Sequence, residues 1–249
     1  MTVLGVIPAR IGSVRLQRKP LQLLRGEPLI VRVLARVGGL DLFDQVVVAT
    51  DAPEVLEAVE RAGGRAVMTS DTHQSGTERV AEVANRPEFS GYELLVNVQG
   101  DEPFVRAAAV RGAIERVRGG DDVGTAAAPL EPELAGDPSR VKVVLDRGGR
   151  ALYFSRAAIP HQRDPAAGPA RYWQHVGVYA YRRSALEAWV RLPATELEQT
   201  ERLEQLRPLA HGWKIGVALL EGASPPGIDT VEDLRLADQN WDAYSTGDR

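Results

Sequence analysis

Short apolar runs alternate with amphipathic segments along the first half of the 249-residue chain. Helical periodicity appears in "PLIVRVLARVGG", "APEVLEAVERAGG", "SGTERVAEVAN" and "VRGAIERVRGG", and three of these segments end in a glycine pair. The runs between them have the composition of buried strands: "TVLGVIP", "QVVVATD", "RAVMT", "ELLVNVQG" and "VGTAAAPL". This alternation with short glycine-containing joints predicts an α/β fold, with a mostly parallel sheet covered by helices on both faces.

The pattern changes after about residue 130. "VKVVLDRGGRALYFSR" predicts two strands joined by a turn at 146–149, and "WQHVGVYAYRR" predicts a further strand. "DPAAGPA" between them is predicted to be a flexible connection. Helices are predicted near 184–191 and 199–209, a strand in "WKIGVALL" and a last helix from about Thr230. We therefore expect a single domain over 1–249 with a β-rich insertion at about 130–185.

Composition narrows the class of protein. Thirty basic and 34 acidic residues give a net charge of −4, so global charge predicts no binding to nucleic acid. The absence of cysteine excludes disulfides, thiolate metal sites and a cysteine nucleophile. No segment reaches the roughly 20 apolar residues that span a bilayer, and the N-terminus has no secretion signal, so we expect a soluble cytoplasmic protein that is not bound to membranes. Only three of the basic residues are lysines: Lys19, Lys142 and Lys214.

A cluster of cations follows the first predicted strand. In "VIPARIGSVRLQRKP", Arg10, Arg15, Arg18 and Lys19 fall within ten positions. Ligands of parallel α/β sheets bind at the carboxyl ends of the strands, and arginine forks and lysine point charges bind phosphate there. The chain has neither the G-x-x-x-x-G-K-[ST] loop nor a G-x-G-x-x-G after this strand. Charge and position alone leave two interpretations open, a polyphosphate site and a solvated charged turn.

Carboxylates follow another buried strand. Asp101 and Glu102 come directly after "NVQG", where carboxylates can bind Mg²⁺ together with substrate phosphates and water. An isolated Asp101 would more simply cap a turn or the next helix, so a metal site needs a second carboxylate nearby. "PPGIDT" offers Asp229, which could equally be the N-cap of the last helix. The four histidines lack metal-ligand spacing, and His175, inside a predicted strand, could be an ordinary core histidine or face a cleft. No G-x-S-x-G accompanies Ser75, so nucleophilic catalysis is not supported.

Nine stretches together resemble, in chain order, the 3-deoxy-manno-octulosonate (KDO) cytidylyltransferases. The combination of "HQSGTER", "NVQGDEP" and "ALYFSR" is specific, whereas "PAR…KPL" alone occurs widely among sugar nucleotidyltransferases. The chain departs from the family at Gln17 and Arg18, where Pro-Gly is usual. The full set is "VIPARIGSVRLQRKPL", "VATD", "HQSGTERVAEV", "VNVQGDEP", "VKVVLD", "ALYFSRAAIP", "HVGVYAYRR", "LEQLR" and "GIDTVEDL".

The resemblance implies a Rossmann-like, glycosyltransferase-A-like nucleotidyltransferase domain that transfers CMP from CTP to the anomeric 2-hydroxyl of KDO. The products would be CMP-KDO, for lipopolysaccharide biosynthesis, and pyrophosphate, with Mg²⁺ as cofactor and a homodimer formed through the β-rich insertion. The alternatives are activation of another acid sugar (amino-KDO or a nonulosonic acid such as sialic acid) and a non-catalytic nucleotide-sugar binder. The site residues implied are Arg10, Arg15 and Lys19 for catalysis; Pro8, Ala9, Arg10, Ser75, Gly76, Arg79 and Gln99 for the nucleotide; Asp101 and Asp229 for the metal; and Gln99, Arg156, His175, Tyr179, Glu204 and Gln205 for the sugar.

Overall fold

The computed structural model describes residues 1–13, 15–164, 168 and 170–245. Part of the predicted connection at 164–170 therefore lies outside the described residues. Short 3₁₀ turns occupy Lys19–Leu21, Pro87–Phe89 and Pro132–Leu134. The strands are β1 (Val3–Ala9), β2 (Leu23–Leu24), β3 (Glu27–Pro28), β4 (Gln45–Thr50), β5 (Ala66–Met68), β6 (Leu94–Val98), β7 (Val123–Leu130), β8 (Lys142–Leu145), β9 (Ala151–Ser155), β10 (Tyr172–Arg182) and β11 (Ile215–Leu219). The helices are α1 (Leu29–Gly38), α2 (Pro53–Arg61), α3 (Gly76–Ala84), α4 (Ala107–Arg118), α5 (Arg183–Trp189), α6 (Glu196–Glu201), α7 (Leu206–Ala210), α8 (Val231–Gln239) and α9 (Trp241–Ser245).

The chain divides into two compact units, Met1–Ala107 with Pro225–Arg249, and Ala108–Ser224. We call them the first and the second unit and describe each by itself. The expectation of a single domain with an insertion at about 130–185 stays a prediction. Within the described part of the chain, no helix combines the length and the apolar character needed to cross a membrane.

The first unit is built on a parallel sheet in the order β6, β1, β4, β5. Ala9 lies opposite Thr50, and Thr50 lies opposite Met68, so these three strands end at the same level. Because parallel strands present their carboxyl ends at one edge, the loops after β1, β4, β5 and β6 meet there. The apolar stripe of α1 buries Leu29, Ile30, Val33 and Val37, as its periodicity predicts.

Side-chain caps fix where two helices of the first unit begin. The Ser75 hydroxyl accepts a hydrogen bond from the Glu78 backbone N–H at 3.2 Å, so Ser75 is the N-cap of α3, a role for which its sequence position is suited. At α8 the N-cap is Thr230, and a capping box joins it to Asp233. The alternative that Asp229 caps the last helix is therefore wrong, and its carboxylate is available for other contacts.

The loop after β1 contains structure that the sequence pattern did not predict. Lys19–Leu21 forms a 3₁₀ turn around the buried Pro20. Arg18 before it has a φ of 51°, in the left-handed region that glycine adopts most easily. The side-chain Nε2 of Gln22 donates to the Gln17 main-chain carbonyl at 2.7 Å, and Arg18 Nη1 lies 3.3 Å from Glu54 Oε1. These two contacts hold the segment that, in the resembling family, contains Pro-Gly.

The second unit combines parallel and antiparallel pairing. β7 runs parallel to β11 and antiparallel to β10, and β8 and β9 form the predicted hairpin with its turn at 146–149. A Cβ at Gly124 in β7 would lie 1.9 Å from the Ala113 carbonyl oxygen, so α4 packs on β7 where only glycine fits. The single helix predicted at 199–209 is wrong. It is split between α6 and α7 because Arg202 takes a left-handed conformation with a φ of 55°.

Candidate active site

A cavity of about 330 Å³ opens in the first unit at the carboxyl ends of its strands. Every site residue predicted for this unit lines it: Pro8, Ala9, Arg10, Arg15, Lys19, Ser75, Gly76, Arg79, Gln99, Asp101 and Asp229. Five further residues complete the lining: Ser13, Pro20, His73, Gln74 and Gly100.

The cations of the opening loop differ in their partners. Lys19 Nζ donates to Asp101 Oδ2 at 2.5 Å and to Asp229 Oδ1 at 3.0 Å. Arg15 Nη2 lies 3.0 Å from Asp229 Oδ2. Arg10 is exposed and makes no ion pair or hydrogen bond with any part of the chain that the structure describes. Of the three residues predicted for catalysis, Arg15 and Lys19 are thus paired with the two carboxylates predicted to bind the metal.

Backbone packing brings the two carboxylates together from distant parts of the chain. Gly100 lets the chain turn directly after β6, since a Cβ there would lie 2.6 Å from the Pro8 carbonyl oxygen. The Ile228 N–H donates to the Asp101 carbonyl at 2.9 Å and so joins the loop before α8 to the loop after β6. The Asp229 N–H is held by the Asp233 carboxylate at 3.1 Å, which leaves the Asp229 side chain facing Lys19.

The pKa values of Lys19 and Glu102 are both raised beside this pair of carboxylates, which favours the charged form of the lysine and the neutral form of the glutamate. Burial by itself lowers the pKa of Lys19, but the attraction and hydrogen bonds of Asp101 and Asp229 outweigh it, and the pKa is raised. Burial, reinforced by the negative charges of Asp101 and Asp229, raises the pKa of Glu102 to about 8. Lys19 therefore stays an ammonium, and Glu102 stays largely protonated at neutral pH.

The donor set fits a divalent cation that is shared with a substrate. Among the described residues, no group of three or more His, Asp or Glu side chains is placed to hold a metal ion. Asp101 and Asp229 supply two carboxylates that both reach one ammonium, so their oxygens lie close together. Mg²⁺ is commonly bound in this way, by one or two carboxylates completed by substrate phosphates and water.

A buried ion pair supports the side of the cavity that is predicted to bind the nucleotide. Arg79 on α3 is 3% exposed, and its Nη2 lies 3.0 Å from Asp51 Oδ2, while its Nη1 donates to the Thr69 hydroxyl. The other carboxylate oxygen of Asp51 accepts the Ile11 N–H at 3.0 Å. Asp51 thus connects α3 to the opening loop. This role of Asp51 was not predicted, and its position directly after β4, in "VATD", was the available signal.

His73 was also missed as a lining residue. Its Nε2 lies 2.6 Å from Glu82 Oε2, and the same oxygen accepts the Ser70 N–H at 2.8 Å. The signal was its place in "HQSGTER", directly before the α3 cap. These contacts fix the segment that leads into α3.

The remaining predicted sugar-binding residues belong to the second unit. The His175 and Tyr179 rings on β10 have centroids 5.3 Å apart, and burial with the nearby Glu204 charge raises the pKa of Tyr179 well above its usual range. Gln205, which follows Glu204 in the chain, is buried. Arg156 follows β9, and its guanidinium donates to the carbonyls of Pro138, Glu201 and Arg202. Within this unit the structure therefore groups His175, Tyr179 and Glu204, and holds Arg156 by main-chain oxygens.

His175 is neutral and has a defined tautomer. The Thr125 hydroxyl donates to the Val178 carbonyl at 2.7 Å, so it accepts from His175 Nε2 at 2.9 Å. Burial lowers the pKa of His175 to about 3. Its Nδ1 consequently carries a lone pair that can accept a hydrogen bond.

The chain matches a family model described as Cytidylyltransferase over residues 4–215. A 3-deoxy-manno-octulosonate cytidylyltransferase of Gemmatimonas aurantiaca is 55% identical over 246 residues, which cover 97% of this chain and 95% of the relative. The chain belongs to the 3-deoxy-manno-octulosonate cytidylyltransferase family. A second family member, from Yersinia enterocolitica, is 45% identical over 94% of this chain and 96% of its own length.

Solved structures agree with this family membership. The structure of CMP:2-keto-3-deoxy-manno-octonic acid synthetase complexed with CTP is 39% identical, has a TM-score of 0.90, and covers 98% of this chain and 99% of that one. A cytidylyltransferase from Leptospira borgpetersenii, 14% identical with a TM-score of 0.63, covers 98% of this chain and 87% of that one and shares the fold. The predicted α/β nucleotidyltransferase fold with a mostly parallel sheet is confirmed, and the chain is a nucleotidyltransferase.

Proposed function

We propose that this chain transfers CMP from CTP to the anomeric 2-hydroxyl of KDO, giving CMP-KDO for lipopolysaccharide biosynthesis and pyrophosphate. The observation that carries the proposal is the grouping of Lys19 and Arg15 with Asp101 and Asp229 at the end of the parallel strands. This arrangement combines cations for a triphosphate with carboxylates for a divalent metal. Relatives at 45–55% identity over nearly the whole chain carry the KDO cytidylyltransferase name.

The reaction is a substitution at phosphorus. The sugar hydroxyl oxygen forms a bond to the α-phosphorus of CTP, while the bond from that phosphorus to the bridging oxygen of the β-phosphate breaks. The bonding electrons leave with pyrophosphate, and the hydroxyl proton passes to solvent. Such a reaction requires alignment of the two reactants and neutralisation of charge, without a covalent enzyme intermediate.

The residues of the first unit suit this requirement. Arg10, Arg15 and Lys19 bind the triphosphate and stabilise the charge that develops on the leaving pyrophosphate. The attraction of Asp101 and Asp229 raises the pKa of Lys19 although burial lowers it, so Lys19 carries this charge before the substrates bind. Asp101 and Asp229 would hold Mg²⁺, which would supply charge neutralisation at the reacting phosphate and would lower the pKa of the sugar hydroxyl.

The neighbouring residues of the cavity suit the nucleotide. Pro8 and Ala9 supply the backbone at the end of β1, and Ser75, Gly76 and Arg79 form the start of α3, where N–H groups favour anions. Gln99 directly follows β6 and lines the same cavity, and its side-chain oxygen would lie 3.7 Å from a Cβ at Gly76 of α3, so we assign it to both substrates.

The second unit supplies the contacts to the acid sugar in this proposal. We assign Arg156 to the sugar carboxylate, because an arginine is always cationic and its guanidinium is held here by main-chain carbonyl oxygens. The His175 Nδ1 lone pair, together with Tyr179, Glu204 and Gln205, suits the sugar hydroxyls.

Pyrophosphate release from CTP and KDO with Mg²⁺ tests the proposal. The wild type should release pyrophosphate, and Lys19→Ala and Asp101→Asn should each lose at least about a hundredfold in kcat, the usual cost of removing one transition-state contact. Faster turnover with amino-KDO or a nonulosonic acid would reassign the acceptor. CTP binding without turnover on any acid sugar would support a non-catalytic binder instead.

Two further parts of the proposal concern the assembly and its place in the cell. We propose a homodimer formed through the β-rich segment at about 130–185, which sedimentation at micromolar concentration tests by mass. We also propose a cytoplasmic location, and fractionation of the native cell tests it.

A further inference from the structure

Lys19 and Arg15, which we propose bind the triphosphate, form ion pairs in this structure with the two carboxylates that we propose bind the metal. Lys19 Nζ reaches Asp101 at 2.5 Å and Asp229 at 3.0 Å, and Arg15 reaches Asp229 at 3.0 Å. The Lys19 side chain is 18% exposed, so most of its surface is turned away from water. The proposed function gives these same groups to different partners, the cations to the triphosphate and the carboxylates to the metal. The two sets of contacts compete.

We propose that Lys19 and Arg15 are internal counter-ions of Asp101 and Asp229, and that triphosphate and divalent metal bind cooperatively because each releases the partner of the other. The inference rests on the proposed function and concerns how its site fills. A divalent cation on the carboxylate oxygens would stand beside the Lys19 ammonium, and like charges repel at such distances. A triphosphate without metal would face two carboxylates and draw Lys19 away from them, which leaves those carboxylates without a counter-charge.

The donor count acts in the same direction. The described residues offer the metal two carboxylates and no third His, Asp or Glu, so phosphate oxygens must complete its coordination. Both the exchange of ion pairs and the shared ligands therefore favour joint binding. Only the exchange of ion pairs, however, makes two further predictions. Removing a carboxylate should strengthen the binding of the triphosphate to the cations, and removing a cation should strengthen the binding of the metal to the carboxylates.

Two reciprocal binding measurements isolate the exchange, and neither depends on turnover. In the first, CTP binding is measured by calorimetry in EDTA. Asp101→Asn should bind metal-free CTP about fivefold or more tightly than the wild type, because Lys19 loses its nearest carboxylate. Glu232→Gln is the matched control, since it removes a carboxylate from the first turn of α8 that pairs with Arg235 and makes no ion pair with Lys19 or Arg15. It should change this affinity less than about twofold.

In the second measurement, Mn²⁺ alone is titrated and free Mn²⁺ is followed by electron paramagnetic resonance. Lys19→Gln should bind Mn²⁺ about fivefold or more tightly than the wild type, because the carboxylates lose their counter-ion. Arg10→Ala is the control, since Arg10 lines the same cavity and, in the described part of the chain, pairs with no carboxylate. It should leave Mn²⁺ affinity within about twofold.

The outcomes separate this inference from the proposed function. Tighter binding in Asp101→Asn and Lys19→Gln, with both controls unchanged, supports the exchange. The exchange is overturned if the control variants gain as much affinity as the test variants, or if neither test variant gains affinity. The proposed function still stands in that case, provided that the wild type binds MgCTP. A wild type that binds no CTP with or without Mg²⁺ overturns both.

Discussion

Lys142 on β8 is fully buried, and its ammonium donates to three main-chain carbonyls. The acceptors are Asp137 at 2.9 Å, Arg140 at 2.5 Å and Arg156 at 2.6 Å. Replacing Lys142 by Met keeps a similar stem and removes all three donors. The Asp137 carbonyl also accepts the Arg140 N–H, so two carbonyls are left without a partner. A carbonyl left in this way costs about 1–3 kcal/mol, so two give roughly 2–6 kcal/mol. Relief from burying an ammonium offsets part of this sum, and we expect Lys142→Met to lower the free energy of unfolding by about 2 kcal/mol.

Urea denaturation followed by circular dichroism measures this loss. Lys214→Met is the matched control, since Lys214 is an exposed lysine of the same unit, and its replacement should cost less than about 0.5 kcal/mol. The reasoning is refuted if Lys142→Met loses less than about 1 kcal/mol, or no more than the control, at an unchanged denaturant slope. Such a result would mean that the two carbonyls find water when the ammonium is removed.

Three further predictions concern stability. His175 has its pKa lowered to about 3 by burial, against 6.5 when unfolded, so protonation of the unfolded chain costs the wild type about 2 kcal/mol between pH 7 and pH 5. Between pH 7 and pH 5 the free energy of unfolding of His175→Gln should fall by about 2 kcal/mol less than that of the wild type, as measured by urea denaturation at both pH values. An equal fall in the two proteins would contradict a neutral, buried His175. Gly124→Ala should cost about 3 kcal/mol in the same assay, because its Cβ meets the Ala113 carbonyl, whereas Gly136→Ala, with open space around it, should be near neutral. Thr230→Ala should lower the unfolding free energy by about 1 kcal/mol in thermal unfolding, and Thr230→Ser should restore it if the cap is the cause.

Local patterning made much of the first unit predictable. The strands that form its sheet are short apolar runs, and α1, α2 and α3 have apolar residues at helical spacing, so periodicity locates them. The cation cluster and Asp101 were visible because they follow apolar runs, and parallel strands bring such positions to one edge. The cations and the carboxylate could therefore be proposed from the pattern alone. The predicted nucleotide-binding residues Pro8, Ala9, Ser75, Gly76, Arg79 and Gln99 came only from the resemblance to the KDO cytidylyltransferases.

Pairings between distant residues were beyond the sequence pattern. The capping-box pattern formed by Thr230 and Asp233 was the available signal for the cap, but nothing near Asp229 shows that Lys19, 210 positions away, takes its carboxylate. Asp51 similarly acquires its role from Arg79, 28 positions later. The break between α6 and α7 depends on one backbone angle at Arg202, which composition does not reveal.

Direct observation of the product tests the central claim, that this cavity joins CMP to KDO. A ³¹P spectrum of CTP, KDO, Mg²⁺ and catalytic enzyme should lose the triphosphate signals and gain equimolar phosphodiester and pyrophosphate, with the pyrophosphate signal larger because that product contains two phosphorus atoms. Triphosphate signals that persist unchanged, or that give free CMP without a phosphodiester, would contradict the account.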